Sequence, residues 1–206
     1  MLLIDSDAFI LLATSGYLNR LAHLLGIPHE EVRRLGPLPH MLRGKKMCKA
    51  YPTEIRELVI AVCENVAELD ERAEDPDFEQ RLLDVPDIDS GEAELYALLA
   101  ERPHYYLVSN DKRAMRALAR TDEVSDIRNM IAGRVVCLQA ALRMLIENDD
   151  FGTIATAFTP LRECETTIRV IFSRGEETDR EQCVETVNSY FDELDGQVGI
   201  GFLYSP

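Results

Sequence analysis

Four acidic side chains follow an apolar run or begin a helical segment, and at such positions they could support metal chemistry. Asp5 and Asp7 follow an apolar run at 2–4, Asp111 follows another at 105–109, and Glu92 begins a helical segment. In parallel α/β sheets, ligands bind beyond the carboxyl ends of the strands. Carboxylates gathered there would repel one another without a cation, and oxygen ligands favour Mg²⁺ or Mn²⁺. The pattern therefore predicts a metal site for phosphodiester hydrolysis, with Asp5, Glu92 and Asp111 as catalytic residues.

The same acids also have simpler structural explanations, and the sequence leaves these open. Asp5 and Asp111 each precede a helical segment and could be its N-cap, and Glu92 could complete a capping box with Asp89. Glu94 competes with Glu92 for the metal, although it projects from a different face of the same helix.

Strands and helices alternate along most of the chain. Short apolar or β-branched runs at 2–4, 105–109 and 134–138 are each followed by helical periodicity. This alternation predicts an α/β fold, namely a three-layer α/β/α arrangement with a central parallel sheet. Parallel strands end at a common edge, so the acids that follow them should meet there.

Other segments predict the domain limits. Residues 29–52 are rich in loop-forming residues, and apolar spacing favours one helix over 53–69. After Asp150 only helical patterns remain. We therefore predict a nuclease-like domain over 1–148 and a helical C-terminal extension over 149–206, which could form extra packing or a dimer interface.

Four segments, in this order, resemble the PIN domain family over about the first three quarters of the chain. They are Leu3-Ile4-Asp5-Ser6-Asp7, Gly91-Glu92-Ala93-Glu94-Leu95, Leu107-Val108-Ser109-Asn110-Asp111 and Arg134-Val135-Val136. The resemblance implies a three-layer fold, Mg²⁺ or Mn²⁺ held by acids, and ribonuclease activity. It also implies a toxin of a toxin–antitoxin pair, with an antitoxin protein as partner and a homo-oligomeric, frequently dimeric, state. Asp5, Glu92 and Asp111 match the first three acids of the family.

The chain departs from the family pattern at two places. Asp7 stands where the family usually has Ser, Thr or Asn, so Asp7 could be an additional metal ligand. The fourth acid of the family has no counterpart at Ala114 or Met115, and Asp7, Asp122 or Asp126 could replace it.

The charge limits where RNA could bind. With 37 acidic and 22 basic residues, the chain has a net charge of −15, which excludes attraction of nucleic acid by the average field. One basic cluster lies between Arg33 and Lys49. A second follows Asp111, and we predict that its members Lys112, Arg113 and Arg116 contact RNA.

Two other functions remain open. The Asp-x-Asp motif also resembles haloacid-dehalogenase-like phosphatases, in which Asp5 would be the nucleophile. A catalytically inactive PIN-like interaction module is the other alternative. Neither a signal peptide nor an apolar run of membrane-spanning length is evident, so we expect a cytoplasmic protein without membrane association. The five scattered cysteines are expected to be reduced.

Overall fold

A central sheet of four parallel strands organises the protein in the computed structural model, which describes residues 1–205. The strands are β1 (Leu2–Ile4), β2 (Val32–Arg34), β3 (Tyr106–Ser109) and β4 (Val135–Cys137). Their order in the sheet is β2-β1-β3-β4, with Ile4 in register with Arg34 on one side and Val108 on the other. The predicted α/β class and parallel sheet are therefore confirmed.

Helices cover both faces of this sheet. Successive side chains of a strand point to opposite faces, yet Leu2, Leu3 and Ile4 are all completely buried. Such burial is typical of parallel sheets, whose crossover connections place helices on each side. The arrangement is consistent with three α/β/α layers.

Thirteen α-helices occur within residues 1–205. They are α1 (Ser6–Ser15), α2 (Leu18–Leu24), α3 (Leu38–Met41), α4 (Lys45–Ala50), α5 (Thr53–Cys63), α6 (Pro76–Leu83), α7 (Ser90–Glu101), α8 (Lys112–Arg120), α9 (Ser125–Ile131), α10 (Leu138–Asn148), α11 (Phe151–Phe158), α12 (Thr166–Ile171) and α13 (Arg180–Val198). None of them is both long and apolar enough to cross a membrane.

The segment between α2 and α6 differs from the sequence-based expectation. Residues 29–52 contain a 3-10 helix (His29–Glu31), β2 and two short α-helices, and the helix predicted over 53–69 ends at Cys63. After it, Glu68 forms a parallel bridge with Arg34, so the chain extends along the edge of β2. The apolar spacing of Val66 and Leu69 fitted a helix, but pairing with the sheet edge determines the conformation there.

The C-terminal helices share the core of the sheet domain. Helix α11 packs on α1, and α13 packs on α8 and α10. The rings of Tyr17, Phe158 and Phe172 stack in sequence, with centroids 5.9 Å and 5.6 Å apart. At the end of the described chain, the Tyr204 amide donates to the Val135 carbonyl, next to the β4 edge. One continuous apolar cluster therefore includes residues on both sides of position 148.

Candidate functional site

Asp5 and Asp111 lie at the carboxyl edge of the sheet because β1 and β3 are adjacent. Strand β2 lies on one side of β1 and strand β3 on the other, so the crossovers diverge at this point. Such a point is where α/β sheets commonly bind ligands. The Asp5 amide donates to the Val108 carbonyl at 3.0 Å, which continues the sheet pairing to the first site residue.

Asp5 is buried and held by two backbone amides. Its side chain is 6% exposed; one carboxylate oxygen accepts from Ala8 N at 2.7 Å and the other from Asn110 N at 3.0 Å. Burial raises the pKa of Asp5 to about 6, although hydrogen bonds from Ser109 and the backbone oppose this rise. Asp5 is thus the N-cap of α1 and also a link between the ends of β1 and β3.

Glu92 reaches the same edge from the first turn of α7. The predicted capping box is present: Asp89 Oδ1 accepts from the Glu92 amide at 3.0 Å, and Glu92 Oε2 accepts from the Asp89 amide at 2.7 Å. Burial, together with the charges of Asp89 and Asp111 and a hydrogen bond with Asp111, raises the pKa of Glu92 to about 8, although the hydrogen bond from the Asp89 amide opposes the rise. Glu92 and Asp111, nineteen positions apart in sequence, are therefore direct neighbours.

Asp111 is the N-cap of α8. Its Oδ1 accepts from the amides of Arg113 and Ala114 at 2.7 Å and 3.0 Å, and its own amide donates to Ser109 Oγ at 3.1 Å. The Arg113 guanidinium lies 3.6 Å from Asp111 Oδ2. The simpler explanation, helix capping, is therefore confirmed for Asp5, Glu92 and Asp111 alike.

A cleft of about 580 Å³ joins these acids. Its acidic lining consists of Asp5, Asp7, Glu79, Asp89, Glu92, Glu94 and Asp111, and its basic lining of Lys46, Arg72 and Arg113. Asp7 projects into the cleft from the first turn of α1. Loss of hydration within the cleft raises the pKa of Asp7, as do the charges of Glu165 and Asp111, whereas Lys46 lowers it. The predicted gathering of Asp5, Asp7, Glu92 and Asp111 at one edge is present.

The residues fit a hard divalent cation in donor chemistry, although three of the four predicted ligands also accept backbone hydrogen bonds. All of the acids offer carboxylate oxygens, the ligands that Mg²⁺ and Mn²⁺ prefer, and their mutual repulsion is what a cation would relieve. Within residues 1–205, however, no three His, Cys, Asp or Glu side chains are grouped as a metal would require. Asp5, Glu92 and Asp111 each direct at least one oxygen to a backbone amide.

Of the three candidates for the missing fourth acid, only Asp7 lies in the cleft. Asp7 lines the cleft, whereas Asp126 pairs with Arg81 at 2.5 Å and, like the exposed Asp122, is not part of the lining. Glu165, at the N-terminus of α12, interacts electrostatically with Asp7. Sequence reasoning missed Glu165 because no local pattern connects the C-terminal helices with the first strand.

Tyr96 was also missed, although its spacing could have revealed it. It lies four residues after Glu92 on α7, so the two share a helix face. Its side chain is 1% exposed and its hydroxyl has no hydrogen-bond partner within the described chain. Burial, followed by the charges of Glu92, Asp5 and Asp111, raises the pKa of Tyr96. The phenol therefore lies beneath the acidic cluster.

The three residues predicted to contact RNA lie in different surroundings. Lys112 Nζ donates to Thr167 Oγ1 at 3.1 Å and lies 5.8 Å from the Tyr190 ring centroid. Arg116 Nε donates to Gln197 Oε1 at 2.5 Å. These two cations join α8 to the C-terminal helices, whereas Arg113 is exposed and lines the cleft.

The fold and the site define an α/β protein with a carboxylate-lined cleft at the diverging point of a parallel sheet. No protein-family model, curated protein or solved structure matches the chain. A functional assignment therefore depends on the geometry and chemistry of this cleft.

Proposed function

We propose that this protein is a ribonuclease of the PIN-like type that depends on Mg²⁺ or Mn²⁺. One observation carries the proposal: Asp5, Asp7, Glu92 and Asp111, from three distant parts of the chain, line one cleft at the sheet edge. The raised pKa values of Asp5, Asp7 and Glu92 reflect loss of hydration and crowding of like charges, and a bound cation would relieve the crowding. The four-strand parallel order agrees with the three-layer fold that the resemblance implies.

Asp5, Asp7, Glu92 and Asp111 would hold the cation. When bound, a divalent cation lowers the pKa of a coordinated water and neutralises charge on a phosphate. Asp7 has the most exposed carboxylate of the four, and Asp5 is the most firmly fixed, because two backbone amides hold it. Arg113 and Lys46 stand at the cleft and would bind phosphate oxygens.

The biological setting follows from the resemblance alone. We propose a toxin-type enzyme that an antitoxin protein inhibits and that forms a homo-oligomer. The boundary near residue 148 would then separate the catalytic domain from a helical extension whose helices α12 and α13 contact α8 next to Asp111.

The test compares Asp5→Asn and Asp111→Asn with Asp122→Asn. Each protein is incubated with fluorogenic RNA in Mn²⁺ and in EDTA, after circular dichroism has confirmed folding. We expect wild-type cleavage that requires Mn²⁺ and a loss of about 100-fold or more in the first two variants. Asp122 is exposed and does not line the cleft, so its variant should retain wild-type activity. Cleavage that survives both site substitutions would refute the proposal.

An inactive interaction module is the second candidate. Two observations support this second candidate. Asp5, Glu92 and Asp111 already have structural roles as helix caps, and no three-residue metal group is formed within residues 1–205. Calorimetry with Mn²⁺ separates the two candidates: heat of binding that disappears in Asp111→Asn supports the nuclease, and no heat in the wild type supports the module.

The phosphatase alternative is less well supported. Its nucleophile would be Asp5, but both Asp5 oxygens accept backbone hydrogen bonds and the side chain is almost fully buried. A phosphoryl group covalently trapped on Asp5 would reinstate this alternative.

A further inference from the structure

The basic residues of this acidic protein are distributed unevenly. Residues 32–53 contain six lysines and arginines and no acid, which is more than a quarter of the 22 basic residues in the chain. Because the net charge is −15, the rest of the molecule is even more acidic than the average indicates. The fold determines whether these six cations form one positive surface.

Two of the six cations have structural roles. Arg34 is buried, and its guanidinium donates to the carbonyls of Cys63 and Leu35, both at 3.2 Å. The Arg33 guanidinium donates to the Glu30 carbonyl at 2.6 Å. Both guanidiniums are held by backbone carbonyls, and both residues are less exposed than the other four cations.

The other four cations form an exposed surface beside the cleft, which we call the basic wall: Arg43, Lys45, Lys46 and Lys49. They lie on α4 and the loop before it. Within residues 1–205, none of them makes a salt bridge with a carboxylate, and the Arg43 guanidinium donates to the Pro39 carbonyl at 3.1 Å. Lys46 and Met47 line the acidic cleft, so the basic wall and the candidate site are continuous. Four exposed cations grouped beside an acidic cleft suit a polyanionic ligand.

Carboxylates outnumber cations in the lining of the cleft. Seven acidic residues line it, against three basic ones, Lys46, Arg72 and Arg113. A second phosphate backbone in the cleft would therefore lie mostly against carboxylates. The exposed residues between 43 and 50 include no aromatic side chain, and Tyr51 is buried. Contact with phosphates, without stacking on bases, is what this surface offers.

We propose that the basic wall binds the backbone of single-stranded RNA, independently of sequence, and directs it into the acidic cleft. This inference rests on the proposed ribonuclease function and names the form of its substrate. It also transfers the main RNA contact from α8 to α4, because Lys112 and Arg116 are engaged by the C-terminal helices.

The test uses two variants of equal charge. In Lys45→Glu/Lys46→Glu/Lys49→Glu the basic wall is reversed, and in Arg169→Glu/Arg174→Glu/Arg180→Glu three exposed cations of the C-terminal extension are reversed. Both changes lower the net charge equally. Binding of a labelled 20-nucleotide single-stranded RNA is measured by fluorescence anisotropy in EDTA, which prevents cleavage, between 50 and 200 mM salt.

The expected salt dependence follows from counterion release. Four phosphate contacts on a single strand give a loss of affinity of about 50-fold between the two salt concentrations, and one remaining contact gives about threefold. The basic-wall variant should therefore bind at least tenfold more weakly at 50 mM salt and show the shallower dependence. The extension variant should keep the steep dependence, and a duplex of the same length should bind the wild type more weakly than the single strand.

The outcomes separate this inference from the proposed function. Equal losses in both variants, or duplex binding as tight as single-strand binding, would overturn the inference even if the protein cleaves RNA. A selective loss in the basic-wall variant would support the inference even if the wild type cleaves no RNA in Mn²⁺, in which case only the nuclease proposal fails.

Discussion

Replacing Glu92 by Gln should stabilise the metal-free protein, although it removes a proposed metal ligand. Glu92 accepts a backbone hydrogen bond from Asp89 and shares another with Asp111. Glutamine can accept the first with its carbonyl and donate to Asp111 with its amide. It therefore resembles the protonated glutamic acid and removes the repulsion between Glu92 and Asp111.

The magnitude follows from the pKa of Glu92, which rises from 4.5 to about 8. A shift of this size corresponds to about 5 kcal/mol when the group is fully ionised. Because Glu92 is partly exposed and solvent screens its charge, we expect a measured gain of about 2 kcal/mol. A raised carboxyl pKa destabilises the folded state as the pH increases, so the difference between variant and wild type should be absent below pH 4.5. It should then grow to its full value above about pH 8.

The assay is urea denaturation in EDTA at several pH values between 4 and 9, followed by circular dichroism. Glu94→Gln is the matched control, because Glu94 lies on the same helix and in the same cleft but faces the compensating charge of Arg72. It should show a smaller gain. A Glu92→Gln protein no more stable than the wild type at pH 8 would refute the electrostatic reasoning. A gain that persists unchanged at pH 4 would show that it has another cause.

Two further predictions concern buried rings. Tyr96→Phe removes a buried hydroxyl that has no partner within residues 1–205, so urea denaturation should show unchanged stability or a gain of up to about 1 kcal/mol; a clear loss would reveal a partner. Phe172→Ala removes a fully buried ring that stacks on Phe158, so it should lower the free energy of unfolding by about 3 to 5 kcal/mol, with one cooperative transition. The control Val170→Ala, at an exposed position, should change it by no more than about 0.5 kcal/mol. Two separate transitions in the Phe172 variant would contradict the continuous core.

The sequence was informative about the fold where local signals and tertiary structure agree. Strands β1 and β3 were predictable because an apolar run precedes an acidic helix cap, and Gly16 ends α1 with a φ of 75° that favours glycine. Strand β2 was missed because two of its three residues are arginines, one of which is buried by hydrogen bonds to carbonyls. No periodicity indicates such a strand.

The candidate site was predictable in its acids and less so in their surroundings. Asp5, Glu92 and Asp111 could be located because helix caps and strand ends have sequence signatures. The contacts of Lys112 and Arg116 with the C-terminal helices could not be predicted, since they depend on how residues 149–205 pack. The helical spacing of Lys112 and Arg116 is consistent with both an RNA surface and a helix interface.

The bond between Asp5 and the Asn110 amide joins residues 105 positions apart, and this has a consequence for biosynthesis. At ribosomal rates of about 5 to 20 residues per second, roughly 5 to 20 s separate the synthesis of these two residues. During that interval the apolar residues of β1 and α1 have no β3 to cover them, and the cleft is incomplete. A newly made chain therefore emerges with its first strand exposed and acquires its candidate site only when the third strand arrives.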